Sequence, residues 1–239
     1  MKFIVLAISL MFPLLGIANP VPTFPFVIVT EKIDQKVKPD LATISFNIFA
    51  YEKTSNKAME QLTQVSVEML KVLRKHEIPI SNLESTQVGK DTKRARKDGA
   101  YNLEILGYEV YQGFNLRLTD LEKYPGLMSD LINLDGVLGL KALFETTKVD
   151  EYKEKMIVEV SAKARKKADA LANAQLRKVK GVYGITTEDN FGQAYAAFSL
   201  ERNAGSSGYS FSSSSKELVM AVPKFIKVSQ RITAIYELN

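Results

Sequence analysis

The residue types that carry most enzyme chemistry are scarce in this chain of 239 residues. It has no Cys and a single His, His76, which excludes thiolate nucleophiles, disulfides, zinc–thiolate sites and iron–sulfur clusters. A His-centred triad or metal site needs further partners that the sequence does not offer. His76 ends a predicted helix, where a cation interacts favourably with the helix dipole. We therefore interpret His76 as structural, and not as a base or a ligand.

Acidic and hydroxyl residues are more numerous, but they form no recognisable motif. The 27 Asp and Glu include no Asp-x-Asp-x-Asp-Gly loop and no His-Glu-x-x-His pattern. Ser212 to Ser215 lacks a Gly-x-Ser-x-Gly elbow, and Gly205 to Gly208 lacks the Gly-Lys-Ser/Thr of a phosphate loop. Two carboxylates far apart in sequence could still form a hydrolase site. We predict no enzyme, no cofactor and no metal, with a carboxylate-based hydrolase as the enzymatic alternative.

The densest charge cluster is a basic run made of Lys90, Lys93, Arg94, Arg96 and Lys97. The run contains no aromatic residue for base stacking, and the formal net charge of the chain is only +5, so nucleic-acid binding is not predicted. Two interpretations stay open for the run. It forms either the solvated tip of a hairpin, in a charged loop from Lys90 to Asp98, or a contact with an anionic envelope surface or a protein partner.

The first eighteen residues predict export. Met1 and Lys2 precede an uncharged apolar stretch of about 15 residues, shorter than the roughly 20 that a membrane-spanning helix needs. Gly16 and Ala18 supply small residues at the −3 and −1 positions of a cleavage site. Residues 1–18 are therefore predicted to be a signal peptide and 19–239 the mature domain, with an uncleaved anchor as the alternative. We expect a periplasmic protein of the cell envelope without a stable membrane span after cleavage.

Apolar periodicity predicts an α+β protein with antiparallel-rich sheets and about three helices. A helix of about twenty residues follows the N-cap candidates at 54–56, a short one begins near Pro125, and a long one covers 150–177. Thr119 and Glu122 have capping-box spacing ahead of the short helix. Strands are expected over residues 24–37, 42–50, 83–88, 108–118, 138–144, 182–187 and 226–236.

The periodicity also assigns buried faces and sheet edges. Met59, Ile132, Leu138 and Leu171 are expected in the core.

Residues 192–215 are rich in Gly and Ser and are expected to form a flexible loop, with two packed lobes possible in the mature domain. The long strands 42–50 and 226–236 are expected at outer sheet edges, with little protection against edge pairing. We therefore predict a homo-oligomer, closed and symmetric.

Five short motifs follow one another along the chain. They are Pro39-Asp40-Leu41-Ala42, the segment from Ile80 to Thr86, Gly107-Tyr108 with Leu118 to Leu121 at the end of the same strand, the Ala-rich helix from Ala162 to Ala172, and Gly181 to Ile185. In this order they resemble the SIMPL (DUF541) family of exported bacterial proteins. Two departures from the family pattern concern loops: Lys224 follows Pro223 where a Gly is usual, and Leu176 stands where the long helix is usually followed by Gly.

The resemblance implies a function but no catalytic residues. Members of the family are non-enzymatic envelope proteins, often oligomeric, and some are associated with oxidative-stress protection or known as periplasmic immunogens. The expectation is therefore a non-catalytic periplasmic protein that self-assembles and contributes to oxidative or envelope stress tolerance. A periplasmic module that binds a small ligand or an envelope surface is the alternative.

Overall fold

The computed structural model describes residues 23–97, 100–187 and 220–239, without the side chains of 96, 97 and 100–103. The predicted signal peptide at 1–18 and the predicted loop at 192–215 lie outside these residues. Three helices and two antiparallel sheets within these ranges confirm the α+β class. The elements are β1 Phe26–Val37, β2 Leu41–Glu52, α1 Ser55–Lys75, β3 Leu83–Lys97, β4 Ala100–Leu118, α2 Tyr124–Ile132, β5 Val137–Glu145, α3 Val149–Ala174, β6 Val179–Thr186 and β7 Ile226–Leu238, with 3-10 turns at Ile80–Asn82 and Leu121–Lys123.

The described strands form one sheet in the order β3-β4-β2-β5 and another in the order β1-β7-β6. Each of two compact units holds part of the chain: one comprises Met1–Glu31, Val160–Tyr209 and Arg231–Asn239, and the other Lys32–Glu159 and Ser210–Gln230. Neither β2 nor β7 is an outer strand. The prediction that strands 42–50 and 226–236 lie at sheet edges is therefore wrong, because each pairs with a neighbour on both sides.

The four-stranded sheet buries one face under α1 and α2. Strict alternation in β2 places Ala42, Ile44, Phe46, Ile48 and Ala50 in the core, as the period of two predicts. The ring of Phe46 stacks on Phe114 of β4 at 5.5 Å. Each helix contributes apolar residues from one face, which are Leu62, Met69 and Leu73 from α1 and Leu127, Met128 and Leu131 from α2.

All four of these predicted core positions are exposed, and the three that lie in helices have a local reason. Met59 lies on the solvent face of α1, since Ala58 and Leu62 form its buried face. Ile132 is the last residue of α2 and is exposed. In α3 the small residue Ala172 occupies the buried position, and Leu171 points outward.

The fourth, Leu138 at the start of β5, is turned outward by an irregularity in the sheet. The register between β2 and β5 shifts between Ser45 and Asn47, and Gly139 has a φ of +65°, as in a bulge that re-aims a strand. Leu138 is consequently 52% exposed. The predicted alternation holds only after the shift, from Leu140 to Phe144.

The start of α2 differs from the predicted capping box. Asp120, not Thr119, caps the 3-10 turn Leu121–Lys123, because its side chain accepts a hydrogen bond from the Glu122 N–H. Pro125 lies in the first turn of α2, where its missing N–H costs no hydrogen bond.

The unit that contains β6 packs the Ala-rich part of α3 on its strands. Val160, Ala164, Ala168 and Ala172 are buried along one helix face, and the small side chains allow a close approach to a sheet. At the rim, Lys167 pairs with Glu31 of β1 at 2.5 Å. The Arg165 guanidinium lies 5.9 Å from the ring centre of Tyr236 in β7.

Candidate functional site

The basic run lies in a strand and not in a loop. Pairing of β3 with β4 continues to Lys97, which is opposite Ala100. The prediction of a charged loop from Lys90 to Asp98 is therefore wrong. The prediction failed because this part of β3 has no alternation of apolar and polar residues. Its extended conformation depends on pairing with β4.

The structure places the two described lysines of the run on opposite faces of the hairpin. Lys90 is opposite the buried Val110, and its ammonium lies 5.1 Å from the ring centre of Tyr108. Lys93 is three residues further on, so it faces the other way, where it pairs with Glu109 at 3.1 Å. Its ammonium is also 5.9 Å from the ring centre of Tyr51.

The other three residues of the run are described less fully. Arg94 makes an interaction of its own, and Arg96 and Lys97 are described only in their backbone, opposite Tyr101 and Ala100. Where the side chains are described, Lys90 and Lys93 each have a neighbouring aromatic or acidic group. A contact of the run with an anionic surface or a partner stays a prediction.

His76 joins the end of α1 to α2. Its Nε2 lies 2.7 Å from Oδ2 of Asp130, and Lys75 Nζ contacts the same oxygen at 2.7 Å. Hydrogen bonds from Lys75 and then His76 hold the pKa of Asp130 below its usual range. Gly126 leaves room for the imidazole, because a Cβ there would lie 3.1 Å from Cε1 of His76. These contacts give the imidazole a structural role between two helices.

Asp40 belongs to the motif Pro39-Asp40-Leu41-Ala42, and its side chain stabilises the connection between β5 and α3. Its carboxylate accepts hydrogen bonds from the Thr147 N–H at 2.6 Å, the Thr147 hydroxyl at 3.0 Å and the Thr146 hydroxyl at 3.3 Å. Burial acts to raise the pKa of Asp40, but these hydrogen bonds outweigh it and hold the pKa below its ordinary value. Thr146 in turn accepts from the Lys148 N–H. The sequence marked Asp40 only through the motif, since its partners are more than a hundred residues away.

Around the other candidates from the sequence, the structure describes no cluster of groups that could form a site. Over residues 23–97, 100–187 and 220–239, no group of three or more Asp, Glu or His is spaced to hold a metal ion. Ser212 to Ser215 and Gly205 to Gly208 lie outside the described residues. In the described part of the chain, no helix is both long and apolar enough to cross a membrane.

A surface that the sequence did not single out lies on β5, the outer strand beside β2. Lys141, Leu143 and Glu145 follow one another at a spacing of two and share one side of the strand. Leu143 is opposite Thr43, and the Thr43 hydroxyl donates to Glu145 at 2.9 Å, so this side faces away from the core residues Ala42 and Ile44. Leu143 is 51% exposed. Its position at an edge depends on strand order, which periodicity does not reveal.

The SIMPL family, described as a protein of unknown function (DUF541), matches residues 27–236. No curated protein matches the chain. The matched range begins in β1 and ends in β7, so it includes both sheets and all three described helices. The chain therefore belongs to the SIMPL (DUF541) family.

Proposed function

We propose that this protein is a non-catalytic, exported protein of the periplasm that self-assembles and contributes to oxidative or envelope stress tolerance. The observation that carries the proposal is the outer strand β5, which presents the exposed Leu138 and Leu143 at a sheet edge. An outer strand that presents exposed apolar side chains favours pairing with another strand.

The polar clusters support a non-catalytic role. His76 and Lys75 both bind Asp130, and the Asp40 carboxylate accepts hydrogen bonds from Thr146 and Thr147. A general acid or base must reach the proton of a substrate from its hydrogen-bonded position, whereas these groups hold chain segments together.

Crosslinking in cells tests export and assembly together. A short amine-reactive crosslinker is added to intact cells, and the envelope and cytosolic fractions are then probed for the protein. We expect multiples of the subunit mass in the envelope fraction and Asn19 as the first residue in mass spectrometry. A single subunit band at every crosslinker dose, or recovery of the chain with Met1 in the cytosol, contradicts the proposal.

The stress role requires an indirect route. Met69, Met128 and Met156 are buried and poorly placed to be oxidised, although Met59 is exposed, contrary to the expectation from its spacing. A deletion strain is expected to survive peroxide less well than the parent, and complementation with Met59→Leu is expected to restore survival fully. Unchanged survival of the deletion strain removes the stress role. Failure of Met59→Leu to complement indicates direct scavenging.

A further inference from the structure

Among the described strands, four lie at a sheet edge, and β5 differs from the other three. The strand β1 carries Lys32, Asp34 and Lys36, and β3 carries the basic run. The strand β6 shifts register twice against β7. Charged side chains and bulges are features that prevent pairing between sheet edges. The strand β5 also shifts register once, beside Gly139, but its register is regular from Lys141 to Glu145. In that stretch an exposed leucine lies between two opposite charges.

The order of side chains on β5 is complementary to itself when it is read in the opposite direction. In an antiparallel pair that is centred on Leu143, this residue faces Leu143 of the partner subunit. Lys141 then faces Glu145 of the partner subunit, and the symmetry repeats this pair on the other side of Leu143. Side chains directly opposite each other in antiparallel strands have Cβ atoms about 4.5–5.5 Å apart, within reach of an ion pair. The complementary charges thus favour a second copy of the chain as the occupant of this edge.

We propose that β5 pairs antiparallel with β5 of a second copy of this chain, about a twofold axis at Leu143, so that two four-stranded sheets become one sheet of eight strands. The inference rests on the proposed self-assembly, for which it specifies the surface. The contact is isologous, because both copies use the same residues, and it therefore closes as a dimer.

The size of the contact determines how strong the association is. Stable complexes bury about 800 Å² on each partner, more than a five-residue ladder supplies. We therefore expect a reversible, concentration-dependent dimer at this edge. Its two ion pairs make it weaker at high salt, because salt screens charges at a surface.

Charge reversal tests the pairing. In Lys141→Glu each acidic side chain faces Glu145 of the partner subunit, and in Glu145→Lys each basic one faces Lys141 of the partner subunit. Each variant alone is expected to dimerise at least tenfold more weakly than the unsubstituted chain in sedimentation equilibrium. An equimolar mixture is expected to recover the association, because opposite charges then meet at both positions. Thr43→Val is the matched control, since it removes the hydrogen bond to Glu145 but leaves both charges.

The outcomes separate the surface from self-assembly itself. An unsubstituted chain that stays monomeric at all concentrations overturns the proposed self-assembly together with this surface. An unsubstituted chain that associates, while neither charge reversal weakens it, overturns only the assignment to β5.

Leu143→Lys provides an independent test should a charge reversal fail to fold. The leucine side chain is exposed, so circular dichroism is expected to show an unchanged fold. The variant is expected to be monomeric where the unsubstituted chain is dimeric. A folded Leu143→Lys variant that still dimerises contradicts the pairing.

Discussion

Asp40 shows how one residue early in the chain fixes a connection far along it. Its carboxylate accepts three hydrogen bonds from Thr146 and Thr147 at the turn from β5 into α3. Asp40→Ala leaves the Thr147 N–H without this acceptor, and hydrogen bonds to a charged group contribute about 1.5–3 kcal/mol. We expect a loss of about 2 kcal/mol in the free energy of unfolding, measured by urea denaturation. Asp135→Ala is the control on an exposed residue, and an equal loss in both variants contradicts this role.

Leu176 occupies a position that favours glycine. The Arg177 N–H binds the Ala172 carbonyl, and the Leu176 N–H binds the Asn173 carbonyl, the pattern of a Schellman motif. Leu176 has a φ of 57° and is 98% exposed. Because so exposed a side chain buries almost no apolar surface, it does not compensate for the strain of the left-handed backbone conformation. Departure from the usual Gly therefore changes the energy of this turn and not its geometry.

Replacing this leucine tests the interpretation. Leu176→Gly is expected to stabilise the protein by about 0.5–1 kcal/mol, because relief of the left-handed strain exceeds the added entropy of the unfolded chain. Leu176→Ala keeps the strain and is expected to leave the unfolding midpoint nearly unchanged. A destabilised Gly variant contradicts the account.

The charged aspartates predict acid sensitivity. A hydrogen bond from Ser229 and the neighbouring Lys227 and Lys32 hold the pKa of Asp34 below its usual value, and the pKa values of Asp40 and Asp130 are also lowered. A lowered pKa in the folded state means that the unfolded state binds more protons, so stability falls as the pH falls. We expect full stability at pH 5–7 and a progressive loss below about pH 4, the ordinary Asp value. Urea denaturation midpoints that are equal at pH 5 and pH 3 contradict this prediction.

At the scale of elements, Gly107 explains why the Gly-Tyr segment of β4 needs its glycine. A Cβ at this position would lie 2.7 Å from the Tyr51 ring and 2.8 Å from the Glu52 carbonyl oxygen. The ring can rotate, although it would then lose the hydrogen bond from its hydroxyl to the Leu106 carbonyl. The backbone carbonyl has no such freedom, so the two strands must separate to accept a side chain.

Gly107→Ala is expected to destabilise the protein by about 2 kcal/mol, as overpacking typically does, in thermal or urea unfolding. Adding Tyr51→Ala is not expected to rescue the variant, because the contact with the Glu52 carbonyl persists. The control is Gly181→Ala in β6, where a Cβ would meet no atom within 4 Å; this change is expected to be neutral. Equal effects of the two alanines contradict the steric explanation.

Much of the element pattern was predictable from local spacing. The strand β2 and the helix α1 each bury one face, so the spacing of their apolar residues predicts both elements correctly. The second half of β3 was not predictable, because its polar residues are ordered by β4. The outward turn of Leu138 depends on a register shift, and the interior positions of β2 and β7 depend on strand order. Long-range pairing determines these features, and local periodicity carries no signal for it.

At the scale of the whole molecule, family membership was identified from motifs spread along the chain. Asp40 and Gly107 now have physical reasons for their places in those motifs: the first fixes a turn, and the second allows two strands to approach. Both reasons concern the fold. The candidate surface on β5 came from the structure, because it requires knowing which strand is outermost.

Self-assembly is the central claim, and the mass in solution tests it most directly. Light scattering coupled to size-exclusion chromatography, on the chain from Asn19 onward, gives that mass over a range of loading concentrations. The account predicts a mass of two or more subunits that decreases toward one on dilution and at high salt. One peak at the mass of a single subunit, unchanged at every concentration, would contradict it.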